Sequence, residues 1–340
     1  MPTLHLIDNS RQAREHTTLS TRIKQRAAGL GFAACGIAPA APSATHPHFL
    51  HWLAQGFQAG MKWLAREDAA AKRSDVRHVL PGAKSVVCVA MHYRTEADWD
   101  EASHGLVARY ARGSDYHDIM TARLRELLAW IQTQTPCVGR IYADTGPLLE
   151  RELAQRAGLG WIGKNTMLLS RELGSYFFLG EILLDIELDT DRPHIEQFCG
   201  SCTRCLDACP TGAFEAPFVL NANKCISYHT IENRDQVPRE LRAPLGDWVF
   251  GCDVCQEVCP WNDKSRAFSN EPELWTRDGE HALPSLLETL MLPREELSRR
   301  LKNSPLKRAK RRGLRRNALA VLKNRRSRRQ LKNEPCSEPS

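Results

Sequence analysis

The alternation of apolar and polar positions over residues 1–190 predicts helices interleaved with strands. Leu124, Leu127 and Ile131 recur at helical spacing, which indicates an amphipathic helix over 114–132. The same reasoning predicts further helices at 17–30, 50–66 and 148–158, and strands at 32–40, 85–93, 139–144 and 176–188. We therefore expect this segment to be a mixed domain of the α/β or α+β class.

The pattern changes twice more along the chain. Residues 191–265 show little periodicity, are interrupted by Pro and Gly, and hold eight of the twelve cysteines. Residues 266–340 are helical and basic. Within them, 304–324 resembles one helix pair of a HEAT-like repeat, and 333–340 predicts a disordered tail. We thus predict three domains, with boundaries after residues 190 and 265.

The net charge of +7 is a local property of the C-terminal part of the chain. Residues 294–332 contain 17 Lys or Arg and two acidic residues, while the rest of the chain contains 30 basic and 38 acidic residues. A basic block of this density on an otherwise acidic chain is typical of a nucleic-acid contact. The alternative is a solvated helix face without a partner, since basic helices are common.

The apolar segments are too short for membrane helices, which need ~20 residues. The N-terminus is polar and lacks the apolar stretch of a secretory signal. We therefore expect a cytoplasmic protein that does not contact a membrane. In that compartment, twelve cysteines indicate metal or redox chemistry rather than disulfides.

The cysteines of the second domain follow the spacing of bacterial ferredoxins. The first run is C-x2-C-x2-C-x3-C-P, and the second, C-x2-C-x3-C-P, lacks its first cysteine, for which Cys225 is the substitute. Since the last cysteine of each run turns to the neighbouring cluster, we predict crossed ligation. One [4Fe–4S] cluster takes Cys199, Cys202, Cys205 and Cys259, and the other takes Cys209, Cys225, Cys252 and Cys255. A pair of zinc sites is the alternative, which the two C-x3-C-P endings disfavour.

One glycine motif resembles the sequence motifs of nucleotide-binding sites. Gly158-x-Gly160-x-x-Gly163 matches the dinucleotide fingerprint, and with Lys164 it nearly matches a P-loop. Both motifs need a strand directly before the glycines, whereas the preceding residues predict a helix. The P-loop also needs Ser or Thr where Asn165 stands. We therefore interpret Gly158 as a helix C-cap and the segment as a tight turn beside another cofactor.

Several long motifs make the chain resemble the epoxyqueuosine reductases, which are iron–sulfur and cobalamin enzymes of tRNA queuosine synthesis. The resemblance extends to about residue 324. It rests on the cysteine runs and on RYARGSDYH (109–117), YADTGPLLERELAQRAGLGWIGKNTMLL (142–169), GSYFFLGEILLDIEL (174–188) and CISYHTIE (225–232). It implies an oxidoreductase that reduces epoxyqueuosine to queuosine at the wobble position (34) of tRNA, the last step of queuosine biosynthesis.

The resemblance also implies the cofactors. Residues 1–190 would bind cobalamin in its base-off form, without a protein ligand to the cobalt, and the two clusters would pass it electrons from a low-potential donor. The sequence agrees in one respect, because the D-x-H-x-x-G signature of histidine-ligated cobalamin proteins is absent. The nearest approach is Asp115-x-His117, which has Met120 in the place of the glycine.

The resemblance assigns a catalytic role to Asp144 in the ADTGP motif, which matches the proton donor of the family. A general acid must be protonated when it is needed, so we expect burial to raise the pKa of Asp144. The alternative is that Asp144 or Thr145 only caps the following helix. The positions that correspond to corrin contacts of the family are Arg66, Asp144, Lys164, Asn165, Leu168, Leu179, Ser227 and Asp253.

The expected partner is tRNA with a G-U-N anticodon, which means the tRNAs for Asp, Asn, His and Tyr, bound by a monomeric protein. The C-terminal region is shorter than in the longer family members, so we expect a smaller or more electrostatic contact with tRNA. The predicted tRNA-binding residues are Arg234, Lys307, Arg308, Lys310, Arg311, Arg312, Arg315 and Arg316.

Two other interpretations remain from the sequence. An enzyme similar to reductive dehalogenases would use the same cofactors on a small halogenated substrate, but its usual respiratory forms have an export signal and no need for a basic tail. A plain electron carrier with an appended domain would bind no corrinoid and would not need Asp144.

Overall fold

The computed structural model describes residues 18–95, 99–265 and 267–333. The predictions for the polar N-terminal segment and for the tail after residue 333, including Cys336, concern residues outside these ranges. Within the described ranges, no helix combines the length and the apolar character that crossing a membrane requires.

Four strands form a sheet at the centre of the first domain. The strands in the described residues are β1 (Ala34–Pro39), β2 (Ser85–His92), β3 (Leu106–Val107), β4 (Gly139–Tyr142), β5 (Trp161–Ile162), β6 (Leu168–Leu169), β7 (Phe177–Leu184), β8 (Phe214–Ala216), β9 (Val219–Leu220) and β10 (Trp248–Phe250). The sheet has the order β1–β2–β7–β4, and each neighbouring pair is antiparallel. Of the two predicted classes, the pairing is therefore that of an α+β domain.

Helices cover both faces of this sheet and make up the C-terminal part. They are α1 (Leu19–Gly29), α2 (His46–Ala54), α3 (Glu67–Ser74), α4 (Glu101–His104), α5 (Tyr116–Gln134), α6 (Glu150–Arg156), α7 (Arg204–Asp207), α8 (Ile226–Ile231), α9 (Arg239–Arg242), α10 (Val254–Glu257), α11 (Pro260–Lys264), α12 (Leu286–Met291), α13 (Arg294–Arg300) and α14 (Lys310–Asn333). The predicted strands at 85–93 and 176–188 and the helix at 114–132 are thus confirmed.

Strand β7 shows how the sheet is buried between two helical layers. Its residues alternate in direction: Phe178 and Ile182 pack with α1 and α5, and Phe177 and Leu183 pack with α6. Because both faces are covered, β2 and β7 consist almost wholly of buried residues. Glu181 is the one residue with an ionisable side chain in β7, and it has no exposed surface.

The helix predicted at 50–66 is wrong. α2 ends at Ala54, and a turn then leads to a short 3-10 helix over Lys62–Leu64 before α3 begins. Gly56 and Ala59 in this turn have φ angles of 68° and 53°. Left-handed backbone cannot continue an α-helix, so the helix stops although the apolar spacing continues.

The pair of helices predicted over 304–324 is also wrong. A 3-10 turn over Pro305–Ala309 is followed by the single helix α14. Lys310 has a φ angle of 58°, which separates the two elements, and Gly313 does not interrupt the helix. Leu314 and Val321 bury one side of α14 in the core that contains β10 and α12.

Candidate active site

Asp144 lies in a tight turn directly after β4. Its φ angle is 60°, a left-handed conformation that Asp tolerates better than most residues. Its backbone N–H donates to Glu150 Oε1 at 2.7 Å, and 59% of its side chain is accessible. The N-cap position of helix α6 is Leu149, and no side chain there makes a capping hydrogen bond. The alternative that Asp144 or Thr145 serves as the N-cap of α6 is therefore wrong.

His117 is the main partner of Asp144. Its Nε2 atom lies 3.2 Å from Asp144 Oδ2, and its Nδ1 atom lies 2.7 Å from Asp115 Oδ1. Asp115 caps α5 and also accepts the backbone N–H of His117, so the ring is held at the first turn of that helix. Burial alone would lower the pKa of His117, but the two carboxylates raise it from 6.5 to about 9. The ring is therefore an imidazolium at neutral pH.

The expectation of a raised pKa for Asp144 is wrong. The surrounding protein atoms act to raise it, but the hydrogen bond and charge of His117, helped by Tyr116, hold the pKa of Asp144 below its ordinary value of 3.8. In this arrangement Asp144 is a carboxylate and the proton resides on His117. His117 was not among the predicted site residues, and its only signal in the sequence is the D-Y-H motif (115–117) at the start of a helix.

Aromatic side chains form the wall beside this pair. Tyr116 stacks on Phe178 with ring centroids 4.0 Å apart and planes 4° apart, and Tyr110 meets both rings edge to face. Burial raises the pKa of Tyr110, and Asp144 and Asp253 are the charges that add most to this shift. Asp144 of the first domain and Asp253 of the cysteine domain therefore both act on Tyr110, and the region around these three residues, at the junction of the two domains, is here called the cleft.

The thiols of the eight cysteines in the cysteine domain have one another as electrostatic neighbours. The thiol of Cys205 interacts electrostatically with Cys259, Cys199 and Cys202. Cys252 interacts with Cys225 and Cys209, and Cys255 interacts with Cys252, Cys225 and also Cys205. These neighbours agree with the two predicted groups except for the pair Cys205 and Cys255. In the described ranges, no set of three or more His, Cys, Asp or Glu side chains is arranged so as to hold a single metal ion. The ligand sets themselves stay predictions.

The turn after α6 docks the cysteine domain onto the first domain. Lys164 Nζ donates to the carbonyls of Gly200 and Cys202 at 2.7 and 3.0 Å, and Asn165 Nδ2 donates to the carbonyl of Cys255 at 3.1 Å. Helix α6, and not a strand, precedes Gly158, the first glycine of the motif in this segment. Rejecting a nucleotide site here is therefore consistent with the fold.

Comparisons with known proteins identify the family that has this arrangement. The family model described as 4Fe-4S double cluster binding domain matches residues 198–262, and the one described as Epoxyqueuosine reductase QueG, DUF1730, matches residues 73–145. The chain is 45% identical over 275 residues to the epoxyqueuosine reductase of Synechocystis sp., which is 80% of this chain and 93% of that protein. The chain belongs to the epoxyqueuosine reductase family.

Two solved structures of the epoxyqueuosine reductase family have the same fold. One, crystallised with an epoxyqueuosine-modified tRNA-Tyr stem loop, superposes with a TM-score of 0.81 at 33% identity, over 89% of this chain and 80% of that chain. The Bacillus subtilis enzyme, with its catalytic aspartate loop swung out of the active site, gives 0.80 at 31% identity, over 94% and 86%. The predicted family, fold class and pair of iron–sulfur clusters are confirmed, and the zinc, dehalogenase and electron-carrier interpretations lose their support.

Some of the residues predicted to contact the corrin ring lie inside the protein, and one lies on its surface. Leu168 and Leu179 belong to one apolar cluster. Asp253 is 1% exposed, accepts the backbone N–H of Arg109 at 2.7 Å, and has a pKa raised by burial to about 6. Ser227 is half-buried on α8. Arg66 instead lies on the surface, where it pairs with Asp68 at 2.6 Å.

The predicted tRNA contacts divide by exposure. Lys307, Arg308, Lys310 and Arg312 are exposed, whereas Arg311, Arg315 and Arg316 are half-buried. Arg316 donates to the carbonyls of His229 and Asn233 at 2.5 and 2.9 Å, so it supports the loop after α8 from inside the protein. Arg234, in that loop, donates to the carbonyl of Ile231 at 3.1 Å and keeps 46% of its side chain exposed.

We expect His117→Asn to destabilise the protein below pH 9 by an amount of the order of 1 kcal/mol, discounted because a third of the ring is exposed. The raised pKa means that the imidazolium stabilises the folded state fully below about pH 6.5, and that this contribution disappears as the pH rises through about 9. Urea unfolding of both proteins at about pH 6 and about pH 10 measures it. A difference that does not change with pH would contradict the ion pair.

Proposed function

We propose that this chain reduces epoxyqueuosine to queuosine at the wobble position of tRNA. The observation that carries the proposal is the open position of Asp144, paired with the His117 imidazolium in the cleft beside the cysteine domain. Membership of the epoxyqueuosine reductase family supports it, as does the related structure that holds an epoxyqueuosine-modified stem loop. Two [4Fe–4S] clusters would be held by the two cysteine groups.

The residues around the cleft fit cobalamin without a protein ligand to the cobalt. Both ring nitrogens of His117 are engaged by carboxylates, so this imidazole is not free to bind a metal. Leu179 is half-buried and packs on the same apolar cluster as the buried Leu168, so its exposed part would offer apolar surface to a corrin ring. Asn165 is held in its turn, where its Oδ1 accepts the backbone N–H of Met167 at 3.2 Å. Cobalamin and the clusters, when bound, would supply the two electrons of the reduction.

The protein itself would supply protons and exclude water. Removal of an epoxide oxygen as water needs two electrons and two protons for each substrate. Asp144 Oδ2 is positioned to take a proton from His117 Nε2, 3.2 Å away, and to pass it to the departing oxygen. The second proton would follow the same route after His117 has been reprotonated from solvent. The aromatic wall of Tyr110, Tyr116 and Phe178 limits access of water from one side.

The basic residues within 294–332, called the basic segment, would bind the phosphates of tRNA. Arg308 connects this segment to the cleft: its Nε donates to Glu232 Oε1 at 2.7 Å, and its guanidinium lies 5.2 Å from the ring centroid of Trp63. The hydrogen bond to Glu232 raises the pKa of Arg308, and the charge of Asp144 adds to this shift. A wobble base delivered to Asp144 would therefore bring its phosphates against the basic segment. We propose that the substrates are tRNAs with G-U-N anticodons.

The proposal is tested by reconstituting the protein anaerobically with iron, sulfide and cobalamin, supplying a low-potential reductant, and adding epoxyqueuosine-containing tRNA. Mass spectrometry of the digested nucleosides should show loss of one oxygen atom from the modified nucleoside. Protein that contains both cofactors and the reductant, yet leaves the nucleoside unchanged, would refute the proposed reaction.

Reversing the four exposed charges at Lys307, Arg308, Lys310 and Arg312 to Glu should weaken tRNA binding by more than tenfold. The plot of log affinity against log salt concentration has a negative slope, and the magnitude of this slope should fall by about 0.7–0.9 for each lost phosphate contact. Arg316 is left unchanged because it supports the fold. Reversal of the exposed Arg125 and Arg192, outside the basic segment, is the matched control. An unchanged salt slope in the fourfold variant would make the segment a solvated surface.

A further inference from the structure

Two acidic side chains lie next to the Asp144 turn: Glu181, which is buried, and Glu150, which is half-buried. Glu181 lies within β7 opposite Cys88 of β2 and Tyr142 of β4, and it has no exposed surface. Neither of its carboxyl oxygens has a hydrogen-bond donor in reach, and the carboxyl of Glu150, at the start of α6, is the neighbouring group that raises its pKa most. Two carboxylates offer each other no donor, so this contact becomes a hydrogen bond only when one of them carries a proton.

The surroundings favour retention of that proton. Burial raises the pKa of Glu150 from 4.5 to about 7, with a further contribution from Asp144, and burial together with Glu150 raises the pKa of Glu181 well above 4.5. Arg151 acts in the opposite direction on Glu150. The ionisable groups that face the pair from the neighbouring elements are Arg73, Cys88, Tyr116, Asp144 and Arg151.

Glu150 connects this pair to the candidate acid. Its Oε1 atom accepts the backbone N–H of Asp144 at 2.7 Å, at a residue with left-handed φ. Left-handed backbone is unfavourable for a residue with a side chain, so the turn depends on contacts of this kind. The conformation of this turn determines whether the carboxylate of Asp144 faces His117 and the cleft.

We propose that the Glu150–Glu181 pair is a proton-dependent positioning device for Asp144. With one shared proton, Glu181 holds Glu150 against the amide of Asp144, and the turn presents the carboxylate to the substrate. Loss of that proton leaves two neighbouring like charges, which repel each other, and Glu150 then releases the amide. This inference rests on the proposed function for its meaning. In the structure of the related Bacillus subtilis enzyme, the catalytic aspartate loop is swung out of the active site.

The first measurement needs neither tRNA nor turnover. Infrared spectra of the full-length protein should contain a protonated carboxyl band that disappears as the pH rises through about 7 and that Glu181→Gln removes. Hydrogen exchange should show that the protection factor of the Asp144 amide falls at least tenfold over the same pH range. Glu150→Ala should lose that protection at every pH, while Glu150→Gln, which keeps an acceptor oxygen, should retain it.

Kinetics of the reconstituted enzyme supply the second measurement. Turnover should fall above about pH 7 with KM unchanged, and Glu181→Gln should move this fall upward by at least one pH unit because the amide cannot ionise. Glu187→Gln, on an exposed residue just after β7, is the matched control. A missing carboxyl band, or an Asp144 amide equally protected in Glu150→Ala, would overturn the proposal even if the enzyme is active. Failure of the proposed reaction would leave both spectroscopic results unaffected.

Discussion

Replacing Asp144 with Asn should lower the rate of epoxide reduction by about 10²–10⁴-fold, while the clusters and cobalamin remain bound. The amide cannot pass on the proton held by His117, 3.2 Å away, so the epoxide oxygen must depart without acid assistance. Asn is a better test than Ala because it tolerates the φ angle of 60° and keeps the size of the side chain. Single-turnover rates, measured with excess enzyme over modified tRNA, separate this step from product release.

The control for this substitution is Asp118→Asn, on an exposed residue of the same α5 turn that presents His117. It should leave the single-turnover rate and the absorption of both cofactors unchanged. If Asp144→Asn retained a rate within threefold of the unaltered protein, Asp144 would not be the acid, and the His117 imidazolium would be the remaining proton source in the cleft.

The parts of the site that local sequence determines were predicted well. Cysteine spacing is a property of short loops, so the two groups of thiols follow from the sequence alone. The ADTGP turn likewise places Asp144 directly after β4. The ionisation state of Asp144 did not follow, because its partner His117 comes from another element, 27 positions earlier in the chain. A pKa depends on contacts across the fold, which residue spacing does not encode.

Two further differences have the same origin. The apolar spacing of 50–66 suits a helix, yet Ala59 adopts a left-handed φ that its residue type does not suggest. In the basic segment, Arg308 and Arg316 look equivalent in sequence, but Arg308 is exposed beside the cleft and Arg316 donates to backbone carbonyls inside the protein. Charge counting finds such a segment, and only the packing of α14 shows which of its charges face solvent.

Cys255→Ser should remove the cluster nearer the cleft and stop the reduction, although the fold and the other cluster persist. Cys255 is the cysteine best placed for this test, since its carbonyl accepts Asn165 Nδ2 and its thiol lies close to Cys252 and Asp253. A serine hydroxyl is far less acidic than a thiol and binds iron poorly, so the group of Cys209, Cys225, Cys252 and Cys255 loses one of four ligands.

The expected result for Cys255→Ser is half the iron and sulfide per chain, measured chemically on anaerobically reconstituted protein, and a loss of turnover of at least 10³-fold with reductant present. Cys137→Ser, at a half-buried cysteine outside both groups, should keep all of the iron and full activity. The two clusters are connected in series only if electrons must pass through the cluster of Cys209, Cys225, Cys252 and Cys255 to reach the cleft. Full turnover by Cys255→Ser protein with half the iron would therefore mean that the other cluster delivers electrons directly, and that the order of the electron path is wrong.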